Sequence, residues 1–514
     1  MLKKILSLAL CVLMAFGMLV PTASAAEENY PIVYVTGYGP NIFAEKGNSN
    51  SEVYYPTGAD VGAIVKEAIA PCLKELANGL VTGNFDKYCD ELYNSIHPIY
   101  ENLVLAPDGT PKDNSGRGEN PNHIFLDYTR FSGGEETFPY DWRLSPETSA
   151  DELDKFIDTM LAATGAKKVN IIARCLGGNV ASAYLQNYAN ASDKVNKVVL
   201  FIPSTEGINM IGALFAGQIK IDASRLDEYL EEYTKYEPFI EDPAIKDFVN
   251  VMVSVLEQGR VLGMGTDMLQ LLVDEIKDNL VPRLIRRSYG SFPSFWAMVP
   301  DEYLDEAIEF VYNTPELKEE YKGTIDKAYS YHDNVMVNAR NRIRELSDKI
   351  EISIISKYNI PVMPIFPDCA NTSDGTAETY LTSFGATTAD FGKTLSADYI
   401  SSIADKRFLS ADEKIDASTG VLPERTWFIK NSYHDHFPAN IDRLIDTILT
   451  SDMDVFSNPE YPQFLDASVD GEKLVPVTEK DPVVYEDDSK EGLIDMLVRF
   501  IKSIIQFFLK IFKF

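Results

Sequence analysis

Short apolar runs rich in Val and Ile recur along the chain and are separated by amphipathic stretches. Such runs are typical of parallel strands buried on both faces, and their alternation with helical stretches predicts β-α-β units. The predicted strands are residues 31–35, 168–173, 197–202, 352–355, 360–366 and 426–429. Together these elements predict an α/β fold with a doubly wound, mostly parallel sheet.

The alternation is interrupted between residues 205 and 349, where the apolar positions follow helical spacing. The predicted helices of this insertion are residues 226–236, 245–258, 268–279 and 303–312. Because the insertion directly follows the strand at 197–202, we expect it to form a helical cap over the sheet.

The first 25 residues have the pattern of a secretory signal peptide. Lys3 and Lys4 form a positive start, residues 5–20 are uncharged and mostly apolar, and Ala-Ser-Ala at 23–25 provides a small-residue cleavage site. An N-terminal membrane anchor is the alternative interpretation of this segment. We expect an exported, secreted protein whose mature chain begins near Ala26.

The last segment, residues 492–514, combines basic side chains with a wide aromatic and aliphatic surface. Its polar positions fall on one helical face, and its charges recur too often for a membrane-spanning helix. We therefore predict a basic amphipathic helix that lies in a membrane interface. A helix docked on the acidic body of the protein itself is the alternative. The preceding residues 451–491 are acidic, contain several prolines and are predicted to be a linker.

Length and charge limit the remaining possibilities. The 514 residues divide into a signal peptide at 1–25, a first core part at 26–204, the cap at 205–349, a second core part at 350–450, the acidic linker at 451–491 and the amphipathic helix at 492–514. The formal net charge of -31 argues against nucleic acid as a partner, because phosphate binding needs a basic surface. Four cysteines follow the signal segment, and an even number in an exported chain permits disulfides. These are Cys72, Cys89, Cys175 and Cys369, and a Cys72–Cys89 staple or a Cys175–Cys369 bond is conceivable.

The most informative motif joins a strand, a tight turn and a helix. The strand at 168–173 leads directly into Arg-Cys-Leu-Gly-Gly at 174–178, and a helix is expected over 179–188. The A-x-C-x-G-G pattern has the layout of the nucleophile elbow G-x-S-x-G, in which small neighbours allow the sharp turn. Such a turn places Cys175 at a helix N-terminus, whose partial positive charge favours a thiolate and an oxyanion.

A second string, Pro-Tyr-Asp-Trp-Arg-Leu-Ser-Pro at 139–146, precedes the elbow. With the elbow and residues 291–300, it resembles the lecithin–cholesterol acyltransferase-like branch of the α/β-hydrolases, which includes phospholipid:diacylglycerol acyltransferases and bacterial lipase-like proteins. The resemblance spans residues 31–450 and implies a doubly wound sheet, a Ser-Asp-His triad and an acyl-ester substrate. The chain departs from the family pattern twice, with Cys175 in place of serine and Arg174 in place of the usual histidine.

The resemblance implies the triad order nucleophile, acid, histidine. Asp374 stands in Ser-Asp-Gly-Thr, which is similar to the family's Gly-Asp-Gly-Thr acid loop, and Asp368 is the alternative acid. The chain has five histidines, and only His434 and His436 follow the acid. Both lie between the last predicted strand and the last predicted helix. The H-x-x-x-P spacing favours His434 as the base, with His436 as the alternative.

The loop Thr-Gly-Tyr-Gly at 36–39 follows the first predicted strand and stands where the family carries His-Gly. The backbone N–H groups of Tyr38 and Leu176 are therefore the predicted oxyanion donors, a role that does not depend on side-chain identity. A thiolate at Cys175 would attack an acyl carbonyl, His434 would pair with it, and Asp374 would orient the imidazole.

The expected function is that of a secreted or cell-surface esterase, lipase or acyltransferase-like enzyme. It would act on acyl esters or thioesters of lipid-like substrates through an acyl-enzyme intermediate. Cysteine at this position has a precedent in dienelactone hydrolases and shifts the expected substrates toward thioesters and activated esters. No cofactor or metal is expected, since the chain shows no metal-ligand cluster or phosphate loop. The alternative is a catalytically inactive α/β-hydrolase-fold protein that binds a lipid or a partner at the cell surface.

Overall fold

The computed structural model of the chain describes residues 30–39, 41–54, 67, 71–72, 74–79, 81–126, 130–220, 222, 225, 229, 265–367, 369–467 and 473–478. Several predictions fall outside these residues. They are the signal peptide at 1–25, the terminal helix at 492–514, most of the helix at 226–236, the helix at 245–258 and the alternative acid Asp368.

The centre of the described structure is one eight-stranded sheet. Its strands are β1 (Ile32–Val35), β2 (Glu135–Thr137), β3 (Val169–Arg174), β4 (Val195–Phe201), β5 (Glu351–Tyr358), β6 (Thr426–Lys430), β7 (Phe464–Asp466) and β8 (Val475–Pro476). They are arranged in the order β8-β7-β6-β5-β4-β3-β1-β2, and every neighbouring pair is parallel except β7 and β8. The predicted α/β class with a mostly parallel sheet is confirmed.

Helices cover both faces of this sheet. The longer ones are α1 (Asp86–Ile96), α2 (Pro146–Thr164), α3 (Leu176–Asn187), α4 (Asn209–Phe215), α5 (Gly265–Arg286), α6 (Leu304–Val311), α7 (Lys322–Tyr331), α8 (Ala339–Leu346) and α9 (Ile441–Thr450). Along β3, Ile171 and Ala173 join the core beneath α2 and α3, whereas Ile172 joins a second core with α9. Successive side chains of a strand point to opposite faces, so a strand covered on both sides must be apolar throughout.

Two predictions of secondary structure are wrong. The predicted strand at 360–366 contributes only Ile360–Pro361, which pairs with Thr372–Ser373 in a small hairpin outside the main sheet. The predicted linker at 451–491 contains β7 and β8, which extend the main sheet, and Leu465 is fully buried beside α9. An acidic, proline-containing composition concealed these short strands, because only a few apolar residues enter the core.

The carboxyl ends of β1, β3, β5 and β6 meet at one edge of the sheet, since these strands run in the same direction. In open parallel sheets, ligands bind in the crevice beyond these ends. Loops that follow all four strands carry the residues predicted to form the site. Within the described ranges, no helix is long and apolar enough to cross a membrane.

Candidate active site

Cys175 occupies a strained turn between β3 and α3. Its backbone angles, φ 52° and ψ −124°, are rare for a residue with a side chain. A Cβ added at Gly177 would lie 2.1 Å from the carbonyl oxygen of Val35, and one at Gly178 would lie 2.6 Å from the Cβ of Pro203. Both positions therefore require glycine, as the elbow motif predicts, and the turn presents the thiol at the N-terminus of α3.

Three residues predicted from the sequence are brought together beside this turn. His434 Nδ1 lies 2.7 Å from Asp374 Oδ2, and the same imidazole lines the cleft with Cys175 and lowers the pKa of its thiol. The other carboxylate oxygen of Asp374 accepts the backbone N–H groups of Thr376 at 2.9 Å and Ala377 at 2.7 Å. These bonds fix the carboxylate, which in turn fixes the orientation of the imidazole.

The alternative base, His436, has a different environment. It lies two residues further along the same loop and is half-buried, with Nδ1 3.4 Å from Ser432 Oγ. The contacts of His434 with both the acid and the thiol therefore favour His434 as the base. His332, which the triad order leaves aside, is a core residue whose ring nitrogens face Asp301 and the Trp296 carbonyl.

The electrostatics of the three groups favour a charged state. Burial alone would raise the pKa of Cys175, but the charge and hydrogen bond of His434, together with Arg174, outweigh it and lower the pKa. Burial opposes the charged form of His434, yet Asp374 and Cys175 raise its pKa to about 10. The pKa of Asp374 is lowered because the imidazole offsets the effect of burial. These shifts all favour the ionised forms, namely a thiolate, an imidazolium and a carboxylate.

A second charged pair lies next to Cys175. Arg174 Nη2 forms an ion pair with Asp435 Oδ1, and the guanidinium lies 4.6 Å from the ring centre of Phe437. Asp435 raises the pKa of Cys175 slightly, in opposition to Arg174. The sequence analysis identified Arg174 as unusual but missed Asp435, although its position directly after His434 was a usable signal.

The predicted oxyanion donors lie beside the nucleophile. A Cβ added at Gly37 would lie 3.3 Å from the Cβ and 3.6 Å from the sulfur of Cys175, so the backbone at 36–39 passes directly against it. Leu176 is the first residue of α3, and an N–H group at this position has no acceptor within its helix. The ring of Tyr38 packs against Phe295, with 5.6 Å between the ring centres.

Residues 139–146 form hydrogen bonds and ring contacts with the loop at 36–39. The Tyr140 hydroxyl donates to the Thr36 carbonyl at 2.7 Å, and Trp142 Nε1 donates to the Gly39 carbonyl at 2.7 Å. The Trp142 ring also packs 5.6 Å from that of Tyr38. Sequence reasoning used this string only as a mark of resemblance. In the structure it holds both ends of the loop that carries the Tyr38 N–H.

Lys357, at the carboxyl end of β5, is a residue that the sequence analysis missed altogether. It is fully buried, and its ammonium donates to the carbonyl oxygens of Tyr433, His434 and His436 at 2.6, 3.2 and 2.7 Å. These three carbonyls belong to the loop that carries the candidate base.

A narrow cleft opens at Cys175. Its polar wall contains Cys175 and His434 with Arg174 and Asp435, and its apolar wall consists of Ile208, Met210, Ile211, Tyr229, Phe295, Met298 and Pro361. The enclosed volume is about 60 Å³, whereas sites for small organic ligands span about 300–1,000 Å³. An acyl chain of any length therefore requires the cleft to widen.

The described cysteines are all free thiols, namely Cys72, Cys89, Cys175 and Cys369. Neither disulfide that the sequence permits is formed, which leaves Cys175 chemically available. Among the residues that the structure describes, no group of three or more His, Cys, Asp and Glu side chains could hold a metal ion.

Comparison with known proteins agrees with this architecture. A family model for the alpha/beta hydrolase fold matches residues 113–223, a range that contains α2, β3, the elbow, α3 and β4. No curated protein matches the chain significantly. The match over the elbow, the parallel sheet and the position of the cleft at its carboxyl edge together identify the chain as an α/β-hydrolase-fold protein.

Proposed function

We propose that the protein is a secreted or cell-surface hydrolase that cleaves acyl esters or thioesters of lipid-like substrates. Cys175 is the nucleophile of a Cys-His-Asp triad, and the chain belongs to the lecithin–cholesterol acyltransferase-like branch. One observation carries the proposal. His434, whose Nδ1 lies 2.7 Å from the buried carboxylate of Asp374, lines the same cleft as Cys175 and lowers the pKa of its thiol.

The first half-reaction forms an acyl-enzyme. The Cys175 thiolate attacks the acyl carbonyl carbon, and the N–H groups of Tyr38 and Leu176 donate to the oxyanion of the tetrahedral adduct. As the adduct collapses, the bond to the leaving group breaks and the His434 imidazolium protonates the departing alkoxide or thiolate. The products are an alcohol or thiol and an acyl thioester on Cys175, with a neutral imidazole.

The second half-reaction restores the resting state. Neutral His434 takes a proton from water, and the hydroxide attacks the thioester carbonyl. Collapse of this second adduct releases the carboxylic acid and the Cys175 thiolate beside an imidazolium. Another hydroxyl in place of water would give acyl transfer by the same steps. Asp374 stays charged throughout and holds the tautomer of His434.

The two walls of the cleft suggest how a substrate is oriented. The apolar wall, which includes Met210, Phe295 and Met298, suits an acyl chain, because burying methylene groups there is favourable. The opposite wall presents the Arg174–Asp435 pair, which suits a polar leaving group. This arrangement favours amphiphilic esters over small symmetric ones.

Hydrolysis of nitrophenyl esters of increasing chain length tests the proposal. The signal-free protein is compared with Cys175→Ala and with Cys369→Ala, a matched control at another buried cysteine. We expect Cys175→Ala to abolish turnover, and Cys369→Ala to retain it. If Cys175→Ala retains turnover, Cys175 is not the nucleophile. A folded, reduced wild-type protein without turnover on any ester would favour the non-catalytic binding protein.

The location of the protein is a separate part of the proposal. We expect export through residues 1–25 and attachment to a membrane surface through residues 492–514, as their sequences suggest. Liposome flotation of the mature chain and of a variant that ends at Glu491 tests the attachment. Equal flotation of the two proteins would contradict it.

A further inference from the structure

Lys357 lies in an unusual setting for a lysine. It occupies the last but one position of β5, is fully buried, and its ammonium donates hydrogen bonds to three backbone carbonyls. Burying a charge is costly unless polar groups replace the lost water. Here the replacement comes from three backbone carbonyls of a single loop.

The three acceptors match the chemistry of an ammonium. It has three N–H donors, and the carbonyls of Tyr433, His434 and His436 lie 2.6, 3.2 and 2.7 Å from Lys357 Nζ. The Tyr433 carbonyl also accepts the His436 N–H at 3.0 Å, and the His436 carbonyl also accepts the Ser432 hydroxyl at 3.3 Å. The ammonium is the donor that joins all three carbonyls, and its loss would leave the His434 carbonyl without this partner, which is costly in a buried setting. The backbone of the His434 loop is therefore shaped around Lys357.

Several charges act on His434 or on its two partners, Asp374 and Cys175. Asp374 and the Cys175 thiolate attract the imidazolium directly. Arg174 and Asp435 flank the sulfur and act on it with opposite signs. The positive charge of Lys357 favours the ionised form of Asp374 and so supports the carboxylate that orients the imidazole.

We propose that Lys357 is a positioning residue for the base, and that it fixes His434 between Asp374 and Cys175 by binding the three loop carbonyls. Lys357 does not line the cleft, so it acts through His434 and not on the substrate. The inference rests on the proposed function for its consequence in turnover, but the geometry of the thiol and imidazole can be tested without turnover.

The test compares Lys357→Met with Lys430→Met. Lys430 is an equally buried lysine on the neighbouring strand β6, and it pairs with Asp412 at 3.0 Å instead of binding the His434 loop. The pH dependence of Cys175 alkylation by iodoacetamide reports the ionisation of the thiol. We expect its midpoint to rise by about one pH unit in Lys357→Met, as His434 loses its position beside the sulfur. In Lys430→Met we expect the wild-type midpoint.

Ester turnover provides a second measurement. We expect kcat to fall by about a hundredfold in Lys357→Met with little change in KM, because a displaced base affects the chemical step more than binding. A folded Lys357→Met protein with the wild-type alkylation midpoint would overturn the inference. If the wild type has no ester turnover but the midpoint shifts as expected, the positioning role stands and the proposed function fails.

A variant that keeps the charge covers the case in which Lys357→Met does not fold. Lys357→Arg places a planar guanidinium where three carbonyls converge on one point, so we expect the protein to fold with a lowered kcat. A Lys357→Arg protein with both the midpoint and the kcat of the wild type would show that any buried cation suffices. That result would overturn specific positioning by the ammonium.

Discussion

The clearest perturbation of the triad is Asp374→Asn, because it changes one oxygen in a fixed arrangement. The asparagine oxygen can still accept the N–H groups of Thr376 and Ala377, which bind the Oδ1 of the aspartate at 2.9 and 2.7 Å. The amide NH₂ then replaces the oxygen that lies 2.7 Å from His434 Nδ1, so a donor faces a donor. The imidazolium loses its counterion, and the Cys175 thiolate loses the positive charge that stabilises it.

The size of the effect follows from the strength of the lost bond. A hydrogen bond to a charged group contributes about 1.5–3 kcal/mol, and one pKa unit corresponds to about 1.36 kcal/mol. The pKa of His434, about 10 in the wild type, should therefore fall by about one to two units in the variant. The pKa of Cys175 should rise by about one unit, since the imidazolium that stabilises the thiolate is then held less firmly in its charged form and in its position.

The assay is the rate of iodoacetamide alkylation as a function of pH, supported by the ultraviolet absorbance of the thiolate. Asp435→Asn is the matched control, because it removes a carboxylate from the same cleft. Asp435 raises the pKa of Cys175, whereas Asp374 acts through His434 to lower it. The two Asp→Asn changes should therefore move the alkylation midpoint in opposite directions. Shifts of the same sign would refute the assignment of Asp374 as the partner of the base.

Three further outcomes are expected. In Cys175→Ser, His434 keeps its acid partner and stays protonated near neutral pH, so ester turnover should be low. Turnover should rise with pH as the imidazole loses its proton, with a midpoint below about pH 10. A turnover rate independent of pH would contradict this. Gly177→Ala should lower the free energy of unfolding, measured in urea, by about 1–3 kcal/mol or more, because the added Cβ would lie 2.1 Å from a β1 carbonyl oxygen. Gly39→Ala is the control. A Cβ at Gly39 meets no atom within 4 Å, so this change should leave the free energy of unfolding nearly unchanged. Trp142→Phe removes the hydrogen bond to the Gly39 carbonyl. In steady-state assays, kcat should fall by a larger factor than the factor by which KM changes.

The elbow and the triad candidates could be predicted because their signals are local. The turn at Cys175 needs an apolar strand before it and glycines after it, and both requirements are visible within a few residues. Asp374 follows from the likeness of Ser-Asp-Gly-Thr to the family's acid loop, and His434 from the triad order that the resemblance implies together with the scarcity of histidines. The main strands could be predicted equally well, since parallel strands covered by helices must be apolar on both faces.

The missed features depend on contacts between distant parts of the chain. Lys357 lies within a run that ends β5, and a lysine is normally read as a sign of exposure. Its ammonium is buried against three carbonyls of the loop at 433–436, and no local sequence pattern predicts that arrangement. The strands β7 and β8 were missed for the same kind of reason, because pairing with β6 gives an acidic, proline-containing segment a place in the sheet.

The free-energy cost of the strained turn and the buried charges at Cys175 is an argument that the site is active and is not an inert scaffold. A buried thiol that served only as a small apolar side chain would need no positive φ, no two glycines in tight contact and no adjacent imidazolium. Cys175, His434 and Asp374 are all at most 7% exposed, and their interactions favour the charged form of each. Replacing a whole set of buried charges by apolar groups is often neutral or stabilising, whereas one member left without its partners is costly. The strained turn and the buried charges therefore reduce the stability that an inert core would have. Their combination at one turn, together with a lysine that binds the His434 loop, supports a thiolate that reacts.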